Sequence, residues 1–215
     1  MSFTLSSKDY IEFIKKTAEH IGGCGDYISS LDAATGDGDH WINMNMGLTA
    51  LTAKADELSQ MGISECFKDI GMTYMSAVGG SAGILYGGAY IAASKLSAGQ
   101  QSLTSEMLGG VLEAMAGDMI NRGKSEPGFK TMIDSIYPAA KVYKEALAEG
   151  LSDVDLLNKV KAAAIDGAEA TKAMPAVRGR ASYQTDKGVG HLDPGAVTMS
   201  YQLADLCDYI LENKI

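Results

Sequence analysis

Apolar residues recur at helical spacing along nearly the whole chain, and nowhere do they alternate as a half-buried strand requires. Tyr10, Ile11, Phe13, Ile14, Ala18 and Ile21 form one such stripe, which predicts a helix from about Ser7 to Ile21. A short helical turn follows at Tyr27 to Leu31. Further helices are expected at roughly 43–58, 64–78, 83–97, 104–121, 131–149, 153–173 and 194–212. Ser152 with Asp155 and Thr131 with Asp134 have the spacing of capping boxes. Asp193-Pro194 offers an acceptor at an N-cap and a proline in the first helical turn. The pattern defines an all-α chain, and its 215 residues suffice for one domain, 1–215, with a substantial core.

Consecutive helices joined by short connections run antiparallel, so every second loop falls at the same end. Loops at 58–63, 98–103 and 150–152 are short and chemically plain. The alternate set, at 32–42, 79–82, 122–130 and 174–193, holds almost everything unusual in the chain. It contains an aspartate-rich turn, Gly79-Gly80-Ser81-Ala82-Gly83, a segment from Asn121 to Gly128, and a stretch from Arg178-Gly179-Arg180 through His191 to Gly195. One pole of the bundle is therefore the working end, with functional loops on a rigid scaffold.

The aspartate-rich turn reads Asp32-Ala-Ala-Thr-Gly-Asp37-Gly-Asp39-His40-Trp41-Ile42-Asn43. Two like charges about 4 Å apart repel by roughly 4 kcal/mol at an effective dielectric near 20, so three converging carboxylates call for a cation. Magnesium suits an all-oxygen site that keeps positions for water and phosphate. A polar surface turn is the alternative, since Gly and Asp are ordinary turn formers. An EF-hand fails because Trp41 stands where the third ligand belongs. Gly123-Lys124-Ser125 is not a Walker A loop: Asp118 occupies the required glycine position, and a helix rather than a strand precedes it. The Gly79–Gly83 turn opens a helix and so presents free N–H groups to an anion. Carboxylates, a helix N-terminus and the basic Lys124, Lys130, Arg178 and Arg180 together are components of phosphoryl handling. His40 and His191 are candidates to orient ligand or loop, while His20 is read as a packing or surface residue. The methionines are read as core filler.

A net charge of −9 argues against nucleic acid as a partner. Cys24, Cys66 and Cys207 fit neither a disulfide framework nor a CxxC metal site. The N-terminus lacks a signal-peptide core, and the most apolar stretch, Gly83 to Gly99, is broken by Gly87, Gly88 and Lys95. A cytoplasmic protein, without membrane association, is expected.

Five separated segments in order resemble the nucleotide-binding, DhaL-type subunit of dihydroxyacetone kinases. They are Gly36-Asp-Gly-Asp-His40 with Asn43-Met44, Gly80-Ser-Ala-Gly83, Arg122-Gly-Lys124 with Lys130-Thr-Met-Ile-Asp134, Gly179-Arg-Ala-Ser-Tyr183, and Gly190-His-Leu-Asp-Pro-Gly195. The resemblance implies an antiparallel up-and-down barrel of eight helices with ADP or ATP and two magnesium ions at one end. It implies Asp32, Asp37 and Asp39 as metal ligands. Nucleotide contacts are implied for His40, Trp41, Ile42, Asn43, Ser81, Ala82, Gly123, Met132, Arg180, Asp193, Pro194 and Gly195. It further implies a DhaK-type partner that holds a short ketose covalently, and a DhaM-type phosphohistidine subunit of the phosphotransferase system that recharges bound ADP. Association of two copies of the chain is a further option. Trp41 departs from the small residue usual in the family, so the indole either reshapes the nucleotide mouth and substrate choice or packs on neighbouring loops. A nucleotide-dependent regulatory module and a fatty-acid-kinase-type domain are the competing readings. The segments at 179–183 and 190–195 favour the ketose-kinase branch.

Overall fold

The computed structural model describes residues 3–215. Eight long helices carry the architecture: α1 (Ser7–Gly23), α3 (His40–Ala53), α5 (Ile63–Ala77), α6 (Gly80–Leu96), α7 (Ser105–Gly123), α8 (Ile133–Ala148), α9 (Asp153–Ala170) and α10 (Pro194–Asn213). Two short helices, α2 (Gly25–Thr35) and α4 (Ala55–Leu58), lie in the connections on either side of α3. Each long helix packs on the next in sequence, and α10 returns to α1, which closes the ring into a barrel. The all-α expectation holds.

Local chemistry sets the helix starts. Ser6 caps α1 reciprocally with Asp9: the Asp9 N–H donates to Ser6 Oγ at 3.2 Å, and the Ser6 N–H donates to Asp9 Oδ2 at 2.8 Å. Ser152 Oγ accepts from the Asp155 N–H at 3.1 Å, and Asp193 accepts from the Ala196 N–H at 2.7 Å ahead of Pro194. At Thr131 only half the box forms. Asp134 accepts from the Thr131 N–H at 2.8 Å, but Thr131 Oγ1 takes the Ile133 N–H and the helix begins at Ile133.

Three features depart from the periodicity. The helix expected at 43–58 starts at His40 and breaks at Lys54, resuming for a single turn. The turn expected at Tyr27–Leu31 is the eleven-residue α2. A two-stranded antiparallel ladder, β1 (Thr4–Ser6) with β2 (Ser102–Thr104), pairs Leu5 with Leu103. Both leucines are fully buried, so the ladder pins the N-terminal segment across the plain pole. Three residues per strand are too few to register as an alternating pattern.

The barrel interior is aromatic at its centre. Tyr74 stacks between Tyr86 and Tyr90 at 5.3 and 5.7 Å, and Tyr10 meets Phe67 edge-on at 4.8 Å. The glycine-rich α6 is packed tightly: a Cβ at Gly71 on α5 would sit 2.8 Å from the Gly87 carbonyl, so the two backbones touch. Small residues here serve helix packing, and among the described residues no helix is long and apolar enough to cross a membrane.

Candidate functional site

The four unusual connections meet at one pole of the barrel. A cleft of about 260 Å³ is walled by the turn from Asp32 to Asn43, by Gly79–Ala82, by Arg178–Ala181 and by Asp193-Pro194. It opens into a second cavity of about 490 Å³, bounded by Leu85, Gly123, Ser125, Met132, Ile133 and Gly195. His40, Ser81, Ala82, Arg178, Gly179, Asp193 and Pro194 border both. The connections that antiparallel parity groups at one end do lie together at one pole.

The acidic turn is built by α2 ending at Thr35 and α3 beginning at His40. Gly38 adopts φ +78°, a left-handed value that costs a glycine little, and this reverses the chain between Asp37 and Asp39. One oxygen from each of Asp32, Asp37 and Asp39 lies within 4.8 Å of the others. Asp32 is buried and accepts the His40 N–H at 2.9 Å; Asp37 and Asp39 are exposed. Asp39 stands at the N-cap of α3 without capping it, so its carboxylate is not committed to the helix. The nearest compensating charge is Arg180, whose Nη2 lies 2.6 Å from Asp37 Oδ2. Three hard oxygen donors at this spacing fit a hard divalent cation, with phosphate or water for the remaining positions.

Across the cleft, α6 begins after Gly79 with no side chain capping its first N–H groups. Those groups and the Ser81 hydroxyl form an anion-ready surface. His40 Nε2 hydrogen-bonds Thr198 Oγ1 at 2.9 Å, and that hydroxyl lies 3.2 Å from the Gly195 carbonyl. Burial pushes the His40 imidazole below its ordinary range against the pull of Asp32 and Asp39, which keeps it neutral near pH 7.

The long 174–193 connection is tied down at several points. Arg178 Nε donates to the Lys124 carbonyl at 2.9 Å, and Gln184 Nε2 donates to the Ala34 carbonyl at 3.1 Å. Lys130 is almost fully buried; its ammonium donates to the Thr171 carbonyl at 2.6 Å and to the His191 carbonyl.

Asp193 is pushed up to about 7, first by loss of solvent and then by Asp134 and Asp32, against the Ala196 N–H and Lys130. A carboxyl whose folded pKa lies above its unfolded value contributes stability below about pH 4, which is lost as pH rises to about 7. The ceiling on this loss is about 4 kcal/mol at 1.36 kcal/mol per unit. Asparagine caps helices as well as aspartate does. Asp193→Asn should therefore raise the melting temperature of nucleotide-free protein at pH 8 and leave it nearly unchanged at pH 4. Equal shifts at the two pH values would refute the burial of this charge.

Of the residues expected at the site, Asp32, Asp37, Asp39, His40, Asn43, Ser81, Ala82, Arg180, Asp193 and Pro194 line the acidic cleft, and Gly123, Met132 and Gly195 line the apolar cavity. Trp41 and Ile42 border neither. The Trp41 indole turns away under the α1–α2 junction, where Nε1 donates to the Ile21 carbonyl at 2.9 Å and the ring covers Gly25. That geometry supports the packing reading of Trp41. Ile42 faces solvent at 52% exposure. His191 contributes its carbonyl to Lys130, and His20 stacks on Tyr201 beside Asp205, away from both cavities. Leu85 and Ser125 line the cavity and Thr198 holds His40, all without a sequence signal: the first lies in a helix of small residues, the second in the discarded Gly-Lys-Ser triplet, and the third inside α10.

Fold and rim together define an all-helical barrel with a carboxylate cluster, an uncapped helix N-terminus and an apolar slot in continuous register. The DAK2 domain model matches residues 34–208, and the chain belongs to that family as a DhaL-type subunit. It is 39% identical to the PTS-dependent dihydroxyacetone kinase, ADP-binding subunit DhaL of Lactococcus lactis, over 93% of this chain and 96% of that one. It is 33% identical to the PEP-dependent dihydroxyacetone kinase, ADP-binding subunit DhaL of Escherichia coli, over 93% and 95%. The crystal structure of the dihydroxyacetone kinase of C. freundii shares the fold, with TM-score 0.72 at 23% identity, over 92% of this chain and 34% of that one.

Proposed function

We propose that residues 1–215 form one DhaL-type domain that holds Mg–ADP or Mg–ATP at this rim. It passes the γ-phosphoryl group to a short ketose carried by a separate DhaK-type subunit. A DhaM-type phosphohistidine subunit then recharges the bound ADP in place. The observation that carries the reading is the convergence of Asp32, Asp37 and Asp39 opposite the N-terminus of α6, with an apolar slot adjoining. The names of the bacterial relatives, which describe ADP-binding subunits of PEP- or PTS-dependent dihydroxyacetone kinases, support it.

Each group has a part in that reading. Two magnesium ions, once bound, would neutralise charge on the transferred group. The three aspartates hold the cations. The first N–H groups of α6, with Ser81, hold phosphate oxygens. Arg180 now pairs with Asp37 and turns to phosphate once that carboxylate has another cation. Leu85 and Met132 flank the base. His40, neutral and fixed by Thr198, orders the joint between α3 and α10. None of these groups is a nucleophile, and the work is positioning and charge neutralisation.

Native mass spectrometry of the purified protein should show co-purifying ADP that EDTA releases, with a fall in melting temperature on release. With a DhaK-type partner and a phosphate donor, the loaded chain should phosphorylate dihydroxyacetone. A protein that binds no adenine nucleotide at millimolar Mg–ADP would end this reading.

A further inference from the structure

Among the described residues, three buried side-chain oxygens lack a hydrogen-bond partner: Ser7 Oγ, Tyr74 OH and Ser125 Oγ. Tyr74 lies inside the barrel between two tyrosine rings, and Ser7 lies against the Cys66 thiol. Ser125 differs from both, because it forms part of the wall of the apolar cavity while only 3% exposed. An unpartnered buried hydroxyl is costly to the fold.

The chain is shaped to put it there. α7 ends at Gly123, Lys124 takes φ +45°, and the Ser125 N–H returns to the Ile120 carbonyl at 3.2 Å. Arg178 fixes this turn through the Lys124 carbonyl. Gly123 leaves the Ser125 side chain room, since even an added Cβ there would stand 3.6 Å from Ser125 Cβ. The other polar side chains at this end of the cavity are engaged. Arg122 pairs with Asp118 at 2.5 Å, Thr131 Oγ1 accepts from Ile133, and Lys130 holds two carbonyls. The walls between are apolar, from Leu85, Met132 and Ile133. A slot with apolar faces and a serine in its wall suits a flat heteroaromatic ring with a polar edge.

We propose that Ser125 Oγ hydrogen-bonds the edge of the nucleobase and is an affinity-determining residue of the site, an inference that rests on the nucleotide-binding reading above. In the present rotamer the oxygen is shielded from solvent. Turning χ1 from one staggered well to another on binding would bring it to the base, where the hydroxyl can both donate and accept. The base thus gains a bond that the protein by itself leaves unmade.

Isothermal titration with magnesium compares Ser125→Ala with the unaltered protein, using ADP and pyrophosphate as ligands. The expected result is about tenfold weaker ADP binding with pyrophosphate binding unchanged, since one net hydrogen bond is worth about a factor of ten. The nucleotide-free variant should melt no lower than the unaltered protein, because the substitution removes an unpartnered group. Unchanged ADP affinity would overturn the proposal, and so would an equal loss for ADP and pyrophosphate, which marks a general disturbance of the loop. If the unaltered protein binds neither ligand, the nucleotide reading itself fails and this inference falls with it.

Discussion

Asp37→Ala should abolish magnesium-dependent ADP retention while leaving the nucleotide-free protein at least as stable as before. The two signs follow from one geometry. Three carboxylates each bring one oxygen within 4.8 Å of the other two, so each is repelled by its neighbours when no cation is bound. Removing one relieves repulsion of the order of 4 kcal/mol per close pair at most, less for the exposed members that water screens. With a cation present the same charge becomes attraction, and its loss costs several powers of ten in affinity at about 1.4 kcal/mol per tenfold. Asp37→Ala also releases Arg180 from its 2.6 Å pairing, so any residual phosphate binding should become magnesium-independent and salt-sensitive. Asp32→Asn tests the buried ligand more severely, because the amide oxygen can still accept the His40 N–H while the charge is gone. Calorimetry with Mg–ADP and thermal melts in EDTA separate the two effects. Undiminished retention of ADP by Asp37→Ala, or a nucleotide-free melt that drops sharply, would mean that the cluster is a structural turn.

How much of this was legible in the chain depends on what carried the signal. Six of the eight long helices show a one-sided apolar stripe or a clear capping residue, and both are local properties. The acidic turn was legible because three like charges cluster in it, and the glycine-rich turns because they recur with it at alternate connections. The direction in which Trp41 points was not legible: it follows from the position of the Ile21 carbonyl, twenty residues away and fixed only when α1 packs on α3. Thr198 reads as one more residue of an apolar helix until His40 arrives 2.9 Å from it. The break at Lys54 has a similar origin, since its ammonium turns back to Asp69 and Thr73 on α5. Lys130 is the strongest case, a lysine that composition assigns to the surface and the fold places almost wholly inside.

Lys130→Met should therefore be damaging twice over. The methionine keeps the length of the apolar stem and deletes only the ammonium. The His191 carbonyl then loses its donor and the Thr171 carbonyl keeps only the Met174 N–H, at about 1–3 kcal/mol in all. For a chain of this size that predicts a fall in melting temperature of roughly 2–12 °C at about 2–4 °C per kcal/mol. The second loss is positional. Those carbonyls bracket the connection that carries Arg178 and Arg180 and ends in the Asp193 cap of α10, so both walls of the cleft slacken together. Asp193 also loses its nearest cation, which moves its carboxyl further upward and makes the α10 cap more sensitive to pH. Lys130→Arg should not rescue, because a guanidinium is wider than the space between two carbonyls that a single ammonium now bridges. Mg–ADP and Mg–pyrophosphate affinities should fall together in Lys130→Met, unlike the base-selective loss expected at Ser125. Its ADP affinity should be measured at a temperature where the variant remains folded. If it matches that of the unaltered protein there, the ammonium is a stability element alone, and the long connection holds its arginines in place by other means.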